Sequence, residues 1–537
     1  MVAQPVGHLG RKHVVDVAPQ DVALEDVAPQ DVALQDVPVG PSSRPKMLSS
    51  FVLGTLAIFI VMAAWSVSMP LYSGPDEASH VIHAAALDRG QIIGTPVAGH
   101  ENPYTVVTVP GTFGHGSYLM RCYKFRSTVP ASCSEATKLS AEPIRASTYT
   151  GRYPPLYYAV VGLPTLASTS QWVVIWMRLL GALMCSALLG LALMAITVWS
   201  RARILPAGFL CALTPAAIYM GAMVNPNGLE IAAAICFWSA GIILALEHAD
   251  DPPHGLVVVA AVSGCVLTLC RGLSPLWTIL ALAAFVLLMG RRRAWTLLKD
   301  RRDVQWSAAA LLVSGIVATI WILLAHTLWA VPVGKPDSLA QTPELHIVSQ
   351  ALKQTKTWLR EMVGVMGWLD TRLPIWTYVA WGLASLALIV VGVWLGRLRA
   401  SIVLALIGLV ALFGPVVLEL NDARTVNLIW EGRYSLPLAV GVPLLAAASV
   451  GARAIYQRLQ LNLARVVLVL LGVGGVLGYL QTLRRYAVGA GGPVDFLHGS
   501  WQPIEGNAVA ILWYVAATIL LVGMLWRLTD RVVARSE

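Results

Sequence analysis

The chain has 537 residues, of which 57% are hydrophobic and only 12% charged, whereas soluble globular domains carry about 25% charged residues. That balance excludes an ordinary soluble protein and describes a polytopic membrane protein. The net charge of +9, from 38 basic and 29 acidic residues, is spread as short clusters between apolar segments, an arrangement that argues for membrane topology and against a nucleic-acid partner.

Residues 1–47 are a different material, carrying the tandem repeat Asp16-Val-Ala-Pro-Gln-Asp-Val-Ala-Leu-Glu25 and Asp26-Val-Ala-Pro-Gln-Asp-Val-Ala-Leu-Gln35. A proline-containing repeat without an aromatic residue cannot bury a core, so the segment reads as a disordered cytoplasmic tail. It lacks the form of a signal peptide, because the first apolar run begins only near residue 48 and is long enough to stay as an anchor.

Segments near the ~20 apolar residues that span a bilayer follow at 49–69, 171–199, 203–222, 226–246, 255–271, 273–290, 306–330, 375–396, 400–420, 434–451, 463–483 and 507–528. The expected fold is therefore an all-α integral membrane bundle of about 12 transmembrane helices over 48–528, with a long first outer loop at 70–170, a second at 331–374 and a short tail at 529–537. An inside N-terminus places Arg201, Arg203, the run Arg291 to Arg302, Arg397, Arg399, Arg453, Arg458 and Arg527 to Arg535 on the cytoplasmic side, as the positive-inside bias requires. Both termini are then cytoplasmic, and Arg484 with Arg485 is the exception. Thirty arginines against eight lysines suggest a GC-rich bacterium, hence a bacterial plasma membrane.

Five of the seven cysteines lie in apolar segments, where a buried thiol is the ordinary reading. Cys122 and Cys133 fall in the first outer loop, in a compartment where a disulfide persists, and the sequence leaves bridged and free forms equally open.

Polar residues out of place collect on the outer face. Pro75-Asp76-Glu77-Ala78-Ser79-His80 follows the first span directly, and ionisable groups at a membrane boundary point to a site. Gly74-Pro75 can start a helix with both carboxylates in its first turn, favoured there by the dipole. A capped interfacial helix is thus the plain alternative to an active site. Asp76, His80 and His83 share one face of that helix, so a general base or a metal site is open there. A zinc hydrolase prefers His-Glu-x-x-His, and position 76 is aspartate.

Arg152-Tyr153-Pro154-Pro155-Leu156-Tyr157-Tyr158 opens a short apolar stretch at 154–168, read as re-entrant or interfacial, whose tyrosines serve either as anchors or as a floor for a sugar. Arg178 lies inside the second span, to snorkel or to pair with a carboxylate. Asn225-Pro226-Asn227 reads as a tight turn, with Asn227 capping the next helix. Arg271 and Arg372 stand at span ends, Asp370 is balanced between turn former and sugar ligand, and Arg433-Tyr434 follows Glu431-Gly432 at the mouth of a span. A guanidinium matches phosphate bidentately; the alternative is an ion pair with Glu431 or Asp370.

Five ordered elements, Pro75-Asp-Glu-x-x-His80, Pro154-Pro-Leu-Tyr-Tyr158, Asn225-x-Asn227, Leu369-Asp-Thr with Pro374, and Gly432-Arg-Tyr with Pro437, resemble the DUF2142 membrane proteins, which are similar in architecture to glycosyltransferases of the GT-C fold. The resemblance covers roughly 50–480. It implies an inverting glycosyltransferase that takes a sugar from a polyprenyl-phosphate-linked donor and passes it to a cell-envelope glycan or lipid acceptor, with membrane lipids around it. It also implies Asp76 as catalytic base and Glu77 as its runner-up or partner. Substrate contacts are expected from His80, Arg152, Tyr157, Tyr158, Arg271, Asp370, Arg372, Arg433 and Tyr434. The need for a divalent metal, Mg or Mn, stays open; Asp76, Glu77 and His80 are its candidate ligands. A transporter or flippase of lipid-linked saccharides is the competing class, and a non-catalytic envelope-assembly subunit a third.

Overall fold

A computed structural model describes residues 43–99, 102–134, 139–329, 331, 339–451 and 457–531. The chain divides into Met1–Arg44 and Pro45–Glu537, and the elements named below belong to the second unit. The decapeptide repeats and the last six residues lie outside the described residues.

The first apolar run forms α1 (Lys46–Ser68), and α2 (Glu77–Leu87) follows. The long loop after it is not purely helical. Strands β1 (Thr95–Pro96), β2 (Thr105–Pro110) and β3 (Pro143–Thr148) make an antiparallel sheet in the order β1-β2-β3, with Val107 opposite Ala146. The all-α expectation is corrected here: Thr105-Val-Val-Thr-Val is β-branched at every position, the composition that suits a pleated, half-buried surface, and its side chains alternate between the core and the outside. Cys122 and Cys133 are joined in a disulfide within the same loop. The 154–168 stretch becomes a short apolar helical segment, Tyr158–Ala167.

Next come α3 (Val173–Trp199), α4 (Leu205–Ala212), α5 (Pro215–Ala222) and α6 (Pro226–Glu247). After them follow α7 (His254–Cys270), α8 (Ser274–Met289), α9 (Arg291–Asp300) and α10 (Arg302–Ala325). An amphipathic helix, α11 (Glu344–Val363), leads into the two-stranded ribbon β4 (Val365–Met366) and β5 (Thr371–Arg372). The chain continues through α12 (Ile375–Leu395), α13 (Leu398–Val426), α14 (Gly432–Ala439), α15 (Gly441–Ser449), α16 (Gln457–Val488) and α17 (Asn507–Arg531).

Among the described residues, eight helices are long and apolar enough to cross a membrane, or ten if each of two bent pairs counts as one span. The expected twelve is therefore too many, for reasons of local chemistry. The run 203–222 breaks where the Thr214 hydroxyl caps Ala217 N–H and Pro215 starts a new helix, so α4 and α5 meet at 60°. At Gly290, with φ +95°, the run 273–290 turns by 104° into the arginine-rich α9. The 255–271 run yields only 17 helical residues, and 434–451 is interrupted at Val440 between Pro437 and Pro443.

Helix α6 is the centre of the bundle, with 89% of its spanning window buried against 17% for α10 at the edge. The two ends of the bundle differ in chemistry. One gathers the basic loops, where Arg301 pairs with Asp251 and Asp303, Arg293 pairs with Asp250, and Glu247 accepts from the Ser200 hydroxyl and the Arg201 N–H. The other gathers the end of α1, the sheet loop, the α5–α6 and α7–α8 junctions and the starts of α12, α14 and α17, tied together by the contacts described next.

Candidate active site

Asp76 is the N-cap of α2 but does not act as a side-chain cap. Its backbone is left-handed, with φ 60°, and α2 begins only at Glu77. That conformation is costly for a residue with a Cβ and concentrates at functional sites. It frees the carboxylate to turn away from its own helix. Oδ1 accepts from the Tyr149 hydroxyl at 2.6 Å, and Oδ2 pairs with Arg433 Nη2. The Asp76 side chain is 26% exposed, whereas Arg433 is 5% exposed, so the acid faces open space and its partner lies behind it.

Arg433 is shared. Glu431 Oε2 stands 2.6 Å from Nε as an ion pair without hydrogen-bond alignment, and Nη1 is buried with no partner. The Gly432 N–H donates to Glu361 at 2.7 Å. Only glycine fits that close approach, since a Cβ there would meet Glu361 Cβ at 2.7 Å. Tyr434 accepts from Arg433 Nη2 at 3.3 Å, and Arg271 lies 5.0 Å from the Tyr434 ring centre and 5.7 Å from that of Tyr153. Arg271 is itself held by Glu230 at 3.3 Å, while Glu230 also accepts from Ser274 at 2.7 Å and Asn227 at 3.2 Å.

The electrostatics sort these groups. Burial pushes the Asp76 carboxyl up, but the Arg433 guanidinium and the Tyr149 hydrogen bond hold the acid below the usual range. Burial drives the His80 imidazole down to about 3, against the pull of Asp76, so His80 is neutral. Its Nδ1 meets the Tyr158 hydroxyl at 2.8 Å. Burial, helped by Asp76 and Glu361 and opposed by Arg433, lifts Glu431 to about 7. One ionised acid, one acid poised near neutrality and one bound cation therefore share a wall.

A narrow crevice of about 10 Å³, room for a single water, lies beside these groups. Arg433, Glu431 and Glu361 line it together with Tyr219, Met220, Met366 and Leu369.

The remaining expected residues are elsewhere. Glu77 is fully buried in a two-point ion pair with Arg178, both contacts at 2.7 Å, and also accepts from the Val224 and Gly74 N–H groups. Arg178 spends its other donors on the carbonyls of Ser66, Met69 and Pro70. This clamp fastens α1, α2, α3 and the α5–α6 turn. Asp370 pairs with buried Arg485 at 3.0 Å, and Arg485 also donates to the carbonyls of Tyr123, Arg126 and Val129. Arg485 thereby ties the end of α16 to the disulfide loop. Arg152 turns to the Ala325 carbonyl and the Trp329 ring, and Arg372 is exposed on β5. The Tyr157 hydroxyl accepts from the Asn225 N–H, and Asn225, not Asn227, caps α6. Asp76, Glu77 and His80 do not fit a metal ion, since Glu77 closes on Arg178 and His80 on Tyr158. Among the described residues no three His, Cys, Asp or Glu side chains converge.

Sequence reading missed Tyr149, Glu230 and Glu361. Glu230 had a signal, an ionisable group one turn into an apolar segment. Tyr149, one residue past β3, had none without the sheet register.

Residues 59–442 match the family described as predicted membrane protein DUF2142. The chain belongs to that family. It is accordingly a multi-pass integral membrane protein, and the DUF2142 region contains Asp76, Tyr149, Arg271, Glu361, Glu431 and Arg433 while leaving out α16 and α17. No curated protein matches the chain. Among solved structures it is similar to ArnT from Cupriavidus metallidurans, crystallised bound to undecaprenyl phosphate, at 13% identity over 91% of this chain and 78% of that one, with a TM-score of 0.40. Neither fold nor chemistry is carried over to the DUF2142 chain on a likeness of that size.

Proposed function

We propose that this DUF2142 protein is a GT-C-type inverting glycosyltransferase that moves a sugar from a polyprenyl-phosphate donor to a cell-envelope glycan or lipid acceptor on the outer face of the membrane, with both termini cytoplasmic. One observation carries the reading: a partly exposed carboxylate meets a buried arginine that has an unpartnered Nη1 and lines a narrow crevice. The guanidinium suits the phosphate of such a donor.

In the reaction the acceptor hydroxyl oxygen bonds to the anomeric carbon while the bond from that carbon to the phosphate oxygen breaks. The hydroxyl proton passes to Asp76, which is ionised at neutral pH and acts as base despite its modest basicity because the transfer is concerted. The electron pair leaves on the polyprenyl phosphate, whose charge Arg433 offsets through Nη1. Tyr149 orients Asp76, and Arg271 adds positive potential from across Tyr434. Glu77 serves by position, holding the start of α2 against Arg178.

Donor binding tests the arginine assignment. Purified protein in detergent should bind a short-chain polyprenyl phosphate, read by intrinsic tryptophan fluorescence, and Arg433→Ala should weaken that binding at least about tenfold. Equal binding by Arg433→Ala would remove the phosphate clamp.

A further inference from the structure

Helix α11 turns one face to the bundle and leaves the opposite face uncovered. Ile347, Ala351 and Trp358 are buried against α13 and α14, and the Trp358 indole donates to the Trp430 carbonyl at 3.0 Å. Opposite them stand Leu345, Leu352 and Leu359, exposed by 81%, 45% and 49%. Spacing by seven residues, nearly two helical turns, sets the three on one stripe.

A cationic stripe runs beside it. Lys353 and Arg360 each follow one of the leucines, and Lys356 lies one turn after Leu352. Ordered leucines next to ordered cations are the pattern of a helix lying in a membrane interface. Helix α13, on which α11 packs, also exposes apolar residues, Phe413 by 43% and Val417 by 68%.

We propose that α11 is an interfacial helix whose leucine stripe enters the acyl boundary of one leaflet and whose Lys353, Lys356 and Arg360 hold anionic phospholipid headgroups. Charge selects this occupant over a second copy of the chain, because two copies meeting face to face on this stripe would bring like charges together. The same helix ends in Glu361, which accepts from Gly432 N–H, and its neighbours Val365 and Met366 line the crevice. Lipid held by α11 therefore steadies one wall of the site.

The test needs no enzymatic activity. Hydrogen exchange is followed by mass spectrometry on the full chain in nanodiscs of phosphatidylcholine alone and of phosphatidylcholine with phosphatidylglycerol. Amides of α11 should exchange about tenfold more slowly with the anionic lipid present. Lys353→Gln with Lys356→Gln, both exposed and outside the packing, should abolish that difference and leave α6 as protected as before. Leu345→Glu with Leu352→Glu should speed α11 exchange in both lipids. Equal exchange of the wild type in the two lipids would overturn the proposal. So would protection that ignores lipid charge and appears only with two copies per disc, which assigns the face to a second chain.

Discussion

At the scale of residues, the site is a contest for one guanidinium. Arg433 faces Asp76, Glu431 and Tyr434 and keeps Nη1 without a partner, so the proposed donor phosphate would share it with two carboxylates. Glu431 sets the terms, because burial lifts its pKa from 4.5 to about 7. Below that pH it is neutral and leaves Arg433 to Asp76 and the donor; above it, the ionised Glu431 claims Nε. The KM for the donor should rise as pH passes through about 7, and Glu431→Gln should remove the rise while leaving the fold intact. The stability sign agrees. A carboxyl whose folded pKa is raised contributes stability that is fully present below its unfolded value and is lost as pH rises through about 7, so Glu431→Gln should flatten thermal stability across pH 5 to 8. A pH-independent KM in the wild type would contradict this role.

Elements decide where each carboxylate points. Asp76 and Glu77 are neighbours in sequence, yet the left-handed turn at Asp76 sends them apart, one to Tyr149 and Arg433 and one into the clamp on Arg178. Removing one partner of a buried ion pair leaves an uncompensated charge, typically a loss of about 3–5 kcal/mol. Glu77→Gln should therefore show a clear drop in the thermal midpoint of the purified protein, whereas Asp76→Asn should leave it nearly unchanged; the reverse order would exchange their roles. The site was partly legible in the sequence for a physical reason. Ionisable groups are expensive beside apolar segments, which singled out Asp76, Arg271 and Arg433, and the pairing of Arg178 with a carboxylate was among the readings open for it. What stayed hidden depends on long-range register. Tyr149 reaches Asp76 only because β3 pairs with β2, and Asp370 reaches Arg485 only because the ribbon packs beside the end of α16. The positive backbone angle at Asp76 carries no compositional mark, since glycine would be the usual resident.

At the scale of the whole molecule, hydrophobic length located the membrane segments but overcounted them. Thr214-Pro215, Gly290 and the prolines around Val440 bend or divide runs that a 20-residue window reads as continuous. The breaks have a use: they put the α5–α6 turn and the start of α14 beside Asp76, at the end of the bundle away from the arginine-rich loops. The bundle thus sets one acid and one arginine together beside a narrow crevice, and the central claim is that this acid moves a proton during sugar transfer. The direct measurement is transfer of radiolabelled sugar from a panel of polyprenyl-phosphate donors in membranes holding wild-type or Asp76→Asn protein at matched expression. Loss of about 100-fold or more in Asp76→Asn, with its thermal midpoint retained, is the predicted result. Normal transfer by Asp76→Asn would contradict the account.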